Sequence, residues 1–133
     1  MRITLEHMAN TAAKASEWVE RLASHPSVPF GALLLRHFEA GRITRLCDCG
    51  CNSFDLEIAA DVKLEPLCRP KPDMKGHAPF FEVVFSSENG AEIDCMLFAD
   101  ARGYLASLDV MHGQANHLPM PEKVTITGVV YAG

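Results

Sequence analysis

The sequence predicts an α+β fold in which two N-terminal antiparallel helices pack on one face of an antiparallel meander sheet of about five strands. Apolar residues recur with a helical period up to Gly41, and an alternating period of two begins by Phe54. Tight turns join the later strands, and such short connections favour antiparallel pairing. We predict a single domain over residues 1–133, with a helical part at about 5–41 and a sheet part at about 53–131.

Two helices are predicted from apolar residues spaced three and four apart. In the first helix these residues are Leu5, Met8, Ala12, Ala15, Val19 and Leu22. It begins after Thr4 or after Asn10-Thr11 and ends at His25-Pro26, since the residue before proline avoids the helical region. The second helix spans about 30–40 and ends at Gly41. Its buried stripe is Leu34, Leu35 and Phe38.

The sheet is predicted from alternating segments separated by turn residues. The strands are Phe54 to Ile58, Phe81 to Ser86, Ala91 to Ala99, Tyr104 to Met111 and Val124 to Val130. Glu88-Asn89-Gly90 and Asp100 to Gly103 supply tight turns, and a loop with four prolines spans 65–79. On the second strand we expect one side to meet the helices, and its residues are Phe81, Val83 and Phe85.

Size and composition indicate one globular core. The chain has 133 residues, 48% hydrophobic and 22% charged, and a chain of this length buries roughly two-thirds of its surface on folding. The longest apolar run, Cys95 to Ala99, has five residues and cannot span a bilayer. No apolar segment of a signal peptide follows Arg2. We therefore predict a cytoplasmic protein that does not bind membranes.

The charge is divided unevenly along the chain. Residues 1–46 carry a net charge of +2, and residues 47–133 carry −7. A surface that binds nucleic acid needs clustered Lys and Arg, so the acidic half argues against that function. Asp94 and Asp109 alternate outward on neighbouring predicted strands, and we expect them to form an exposed acidic binding face for a basic protein.

Three cysteines lie within five residues, in Cys47-Asp48-Cys49-Gly50-Cys51. Thiols at alternate positions of an extended chain point to one side, and Cys68 could return through the proline-rich loop as a fourth ligand. Four thiolates suit zinc. Two alternatives stay open: a redox or nucleophilic thiol, for which Cys49 is the candidate catalytic residue, and simple packing of small hydrophobic side chains.

Two segments of the chain resemble a group of small bacterial proteins of unknown function. The segments are Cys47 to Phe54, with the pattern C-x-C-G-C-x-S, and Gly103 to Asp109, with the pattern G-Y-L-x-x-L-D. The resemblance covers about 42–110 and implies no activity. A C-x-C-G start is similar to the zinc site of glutathione-dependent formaldehyde-activating enzymes, but their second cysteine cluster is missing from this sequence.

No P-loop, G-x-S-x-G or G-x-G-x-x-G motif occurs in the sequence. We therefore predict a small acidic binding module without catalytic activity or cofactor, similar in profile to the bacterial immunity proteins that neutralise basic toxins. The alternatives are a zinc-binding domain built on Cys47, Cys49, Cys51 and Cys68, and a thiol-dependent redox enzyme.

Overall fold

A computed structural model describes residues 11–47, 52–87, 92–111 and 124–131. Two helices are followed by a six-stranded antiparallel sheet, which confirms the predicted α+β class. The helices are α1 (Ala12–Ser24) and α2 (Gly31–Ala40). The strands are β1 (Arg42–Leu46), β2 (Phe54–Glu57), β3 (Ala78–Ser87), β4 (Glu92–Ala99), β5 (Leu105–Met111) and β6 (Val124–Tyr131).

Helix α1 begins at the later of the two predicted starts. The Thr11 side chain accepts a hydrogen bond from the Lys14 amide at 3.1 Å, which satisfies one of the unpaired N–H groups of the first turn. The earlier start at Thr4, with Leu5 and Met8, lies outside the described residues. At the other end His25 takes up an extended conformation, as expected for a residue before proline.

The two helices approach each other closely at Gly31. A side chain at this position would overlap the backbone carbonyl oxygen of Ala23, so glycine permits the contact. Helix α2 buries Leu34 as predicted, but it buries His37 rather than Leu35 and Phe38, which are half-buried. His37 lies three residues after Leu34 and so shares its side of the helix.

The strand order is β1-β2-β5-β4-β3-β6, with every pair antiparallel. Strands β3, β4 and β5 form the predicted meander. Strand β6 pairs with β3 instead of continuing from β5, and β2 pairs with the other side of β5. Tight turns impose adjacency only within the meander, and the longer connections before β3 and before β6 allow these other neighbours.

Strand β1 is absent from the sequence prediction. Its register with β2 shifts between Ile43 and Arg45, so Ile43 pairs with Leu56 and Leu46 pairs with Phe54. An extra residue in a strand breaks the two-residue alternation. The apolar residues of β1 are therefore three apart, a spacing that hides the strand from a search for alternation.

The helices cover one side of the sheet, which we call the covered face. Phe81, Val83 and Phe85 are buried there, as predicted. Ring contacts connect the layers: Phe30 meets Phe81 with centroids 5.0 Å apart, and His25 meets Phe85 at 6.3 Å. No helix within the described residues is long and apolar enough to cross a bilayer.

Candidate binding face

The opposite side of the sheet, which we call the open face, consists of the strand residues that alternate with the core residues. Both described helices pack on the covered face. The open face carries the apolar side chains of Val84, Met96, Phe98, Met111 and Val130. Its charged residues are Arg42, Arg45, Asp55, Glu57, Glu82, Glu92, Asp94 and Asp109. Within the described strands this face has six carboxylates and two guanidinium groups.

The register brings the two predicted site residues together. Asp94 pairs with Met111 and Asp109 pairs with Met96, so the two carboxylates are diagonal neighbours on β4 and β5. Such diagonal positions lie about 7–8 Å apart. Glu82, which also pairs with Met96, extends the row onto β3. Carboxylates thus occupy successive strands across the centre of the sheet.

Asp94 is half-buried rather than exposed. Burial raises the pKa of its carboxyl, and a hydrogen bond with Glu82 and the negative charge of Glu82 raise that pKa further. Its Oδ1 atom is buried and has no hydrogen-bond partner among the described residues. Removing a carboxylate from water without pairing it is costly, so ionised Asp94 is a destabilised group.

Asp109 has a similar environment nearer the β1 edge. Burial raises the pKa of its carboxyl, the charge of Asp55 adds to that effect, and Arg45 opposes it. The Arg45 guanidinium lies 3.7 Å from an Asp55 carboxylate oxygen, and Arg42 lies 4.0 Å from Glu57. Both guanidinium groups are therefore close to carboxylates at the edge of the sheet, and the central carboxylates keep their negative excess.

Sequence reasoning missed Glu82 and Asp55 as members of this row. The alternation of both segments indicated which side each residue would occupy. The missing information was the pairing: Glu82 lies diagonal to Asp94 only in the observed β3–β4 register, and Asp55 reaches Asp109 only because β2 pairs with β5.

The proposed zinc ligands that the structure describes lie apart. The Cys47 amide donates to Ser53, whose hydroxyl accepts from the Val110 amide near the end of β5. Cys68 instead lies against Gly103, just before β5 begins. At about 3.3 Å per residue, the seven residues of β5 separate these positions by roughly 20 Å. Cys47 and Cys68 therefore do not share one ion in this arrangement.

Cys49 and Cys51 lie outside the described residues, so the zinc and reactive-thiol hypotheses for that segment stay predictions. Within the described ranges no group of three or more His, Cys, Asp or Glu side chains is arranged to hold a metal. Burial raises the pKa of the Cys68 thiol and that of Cys95, which lies in the core. A raised pKa keeps a thiol protonated and weakly nucleophilic.

A second polar cluster, around His37, anchors the proline-rich loop. The His37 Nδ1 atom accepts a hydrogen bond from the Leu105 amide at 3.2 Å, so the proton of the neutral ring is on Nε2, 2.7 Å from the Glu65 carbonyl oxygen. Burial lowers the pKa of this imidazole. The Tyr104 hydroxyl both donates to and accepts from the Leu64 backbone. These groups are engaged in holding the backbone, which indicates a structural role.

Side chains also hold the backbone of the turn before β5. The Arg102 guanidinium lies 2.8 Å from an Asp100 oxygen, donates to the carbonyls of Ile58 and Ala59, and stacks 4.3 Å above the Tyr104 ring. Gly103 has a φ of +81°, which favours glycine. The resulting turn supports the loop, because the Leu67 amide donates to the Gly103 carbonyl.

Comparisons with protein-family models, curated proteins and solved structures found no match to this chain. The open face combines half-buried carboxylates with apolar side chains, and strand pairing fixes the backbone position of its central residues.

Proposed function

We propose that this protein is a non-catalytic binding module whose open face docks a positively charged protein surface, in the manner of an immunity protein. The observation that carries the proposal is the row formed by Glu82, Asp94 and Asp109 across three neighbouring strands. Lys or Arg side chains of a partner would supply the positive charge that this row lacks. Such complementarity speeds association and fixes the orientation of the partner.

The apolar residues of the open face support docking by a protein rather than by a small cation. Interfaces between proteins combine apolar contacts with charged groups. Met96 and Phe98 are half-buried beside the carboxylates, while Met111 and Val130 are 48% and 61% exposed. Methionine is flexible and adapts to irregular surfaces. These side chains would give contact area that does not depend on salt.

The raised pKa values of Asp94 and Asp109 add a second support. Ionisation of both carboxyls is opposed by burial and by neighbouring negative charges. A cationic partner favours the ionised forms, so binding should lower both pKa values and release protons. Affinity should consequently rise with pH until the two carboxyls are ionised in the free protein.

The test is capture of partners from native lysate, at low and at high salt, with three forms of the protein. The open-face variant is Glu82→Gln/Asp94→Asn/Asp109→Asn. The control variant, Glu17→Gln/Glu20→Gln/Glu39→Gln, makes the same change of net charge at exposed helix positions. We expect a partner with the wild type and the control that is lost with the open-face variant and weakened by salt, since salt screens exposed charges.

Two results would contradict the proposal. The absence of a partner at both salt concentrations would argue against a binding module of this kind. Equal loss of the partner in both variants would show that net charge alone, and not the open face, determines the association.

A further inference from the structure

The two edges of the sheet differ in the features that control pairing with another chain. An edge strand exposes unpaired backbone N–H and C=O groups, and proteins protect such edges with charges, bulges or short strands. Strand β1 has all three: five residues, a register shift, and the exposed Arg42 and Arg45. This edge is therefore protected against pairing.

Strand β6 also has a register shift, because Val84 pairs with Gly128 and Phe85 pairs with Ile126, which leaves one extra residue on β6. It lacks the other two features, charge and shortness, in its described residues. It spans eight residues, contains no charged residue and no proline, and all of its residues except Gly128 are β-branched or aromatic. It pairs with β3 on one side, and no described strand lies on its other side. Val129, Val130 and Tyr131 are 42%, 61% and 46% exposed. Strands of this composition pair readily with other strands.

We propose that β6 pairs antiparallel with β6 of a second copy of this chain, joining the two sheets across a twofold axis. Two identical strands that run antiparallel are related by a twofold axis, so this pairing closes as a dimer. The absence of charge decides in favour of a second copy. Like charges placed opposite each other destabilise a strand pair, and β6 brings none to the junction.

The negative charge of the open face does not prevent this association. Glu82 on β3 is the acidic residue of the central row nearest to the β6 edge. In the dimer two β6 strands would separate the β3 strands, which are then three strand spacings apart, or about 14 Å. That distance exceeds the screening length of about 8–10 Å at physiological salt. The open faces would form one continuous surface.

The test is sedimentation of the wild-type protein from about 1 to about 200 µM, the range that reveals micromolar self-association. We compare Val130→Lys with Thr44→Lys, which makes the same change of charge on β1, where Thr44 is exposed. Lysine on an edge strand opposes pairing. We expect the wild type to form a dimer. The dimerisation affinity of Val130→Lys should be at least about tenfold lower, and that of Thr44→Lys should equal the wild-type value.

A wild-type monomer throughout the range would overturn the proposal. A dimer that Val130→Lys leaves intact, or that Thr44→Lys disrupts equally, would place the interface elsewhere. If Val130→Lys does not fold, hydrogen exchange of the wild-type protein tests the proposal instead. Pairing predicts that the β6 amides that point away from β3 exchange more slowly as the protein concentration rises. Protection independent of concentration would contradict the dimer. None of these outcomes depends on a basic partner.

Discussion

The two faces of the sheet place neighbouring residues of the same strands in different environments. On β3, Val83 and Phe85 are 0% exposed on the covered face, whereas Glu82 and Val84 are half-buried on the open face. Side chains of a strand alternate between its faces. One step along the sequence therefore separates a residue that stabilises the core from a residue on the face that we propose to bind a partner, and substitutions at adjacent positions should have different consequences.

The largest effect is expected from Phe85→Ala. Phe85 lies in the core and contacts the His25 ring, so its truncation should cost about 3–5 kcal/mol of unfolding free energy. Phe98→Ala on the open face is the matched control and should cost less than half as much, because Phe98 is only half-buried. Chemical denaturation measures both. A loss of unfolding free energy below about 1 kcal/mol for Phe85→Ala would contradict the placement of Phe85 on the covered face.

A second, smaller effect is expected in the pH dependence of stability, to which the buried His37 of helix α2 contributes. His37 is 0% exposed and its pKa is lowered by burial, so the folded state favours the neutral ring. The unfolded chain, with an ordinary pKa of about 6.5, then binds more protons than the folded chain. The contribution of His37 to stability is complete above about pH 6.5 and is lost as pH falls below that value.

Thermal unfolding between pH 7.5 and 5 checks this expectation on the wild type and on His37→Gln. Protonation would place a hydrogen on Nδ1, facing the Leu105 amide that now donates to it. The wild type should lose melting temperature across this interval, and His37→Gln should lose less. An identical pH dependence of the two proteins would contradict the role assigned to His37.

The smallest effect on stability is expected from Asp94 on the open face. Its dependence on pH is opposite to that of His37. The pKa of Asp94 is raised, so the folded state binds more protons than the unfolded chain between the ordinary aspartate pKa of about 3.9 and the raised value. The contribution of Asp94 to stability is complete below about 3.9 and is lost as pH rises through its folded pKa. Asp94→Asn should therefore stabilise the protein at pH 7, by about 0.5 kcal/mol.

Asp94→Asn and wild type should converge in stability near pH 3, where both side chains are neutral. Glu92→Gln is the appropriate control, because Glu92 lies on the same strand and is exposed. Destabilisation by Asp94→Asn at pH 7 would contradict the unfavourable environment assigned to the ionised carboxylate.

The sequence predicted the α+β class, both helix ends near His25 and Gly41, and the two sides of β3, because these features depend on local periodicity and backbone preferences. It did not reveal β1, whose bulge disrupts the alternation, or the pairing of β6 with β3, which depends on long connections. For the site, alternation placed Asp94 and Asp109 on the outer side. Their contacts with Glu82 and Asp55 required the register, which is a property of the folded sheet.

His37 shows the same division between local and long-range information. Its position three residues after Leu34 placed it on the buried side of α2. Its hydrogen-bond partners, Leu105 and Glu65, come from a strand and a loop distant in sequence. A buried histidine needs such partners, and no local pattern identifies them.

We propose that the open face binds the partner and that the covered face stabilises the fold. The most direct test measures both properties on one molecule, the Glu82→Gln/Asp94→Asn/Asp109→Asn variant. We predict that its unfolding free energy at pH 7 equals or exceeds that of the wild type while the salt-sensitive partner is lost. A destabilised variant that still captures the partner would contradict the account.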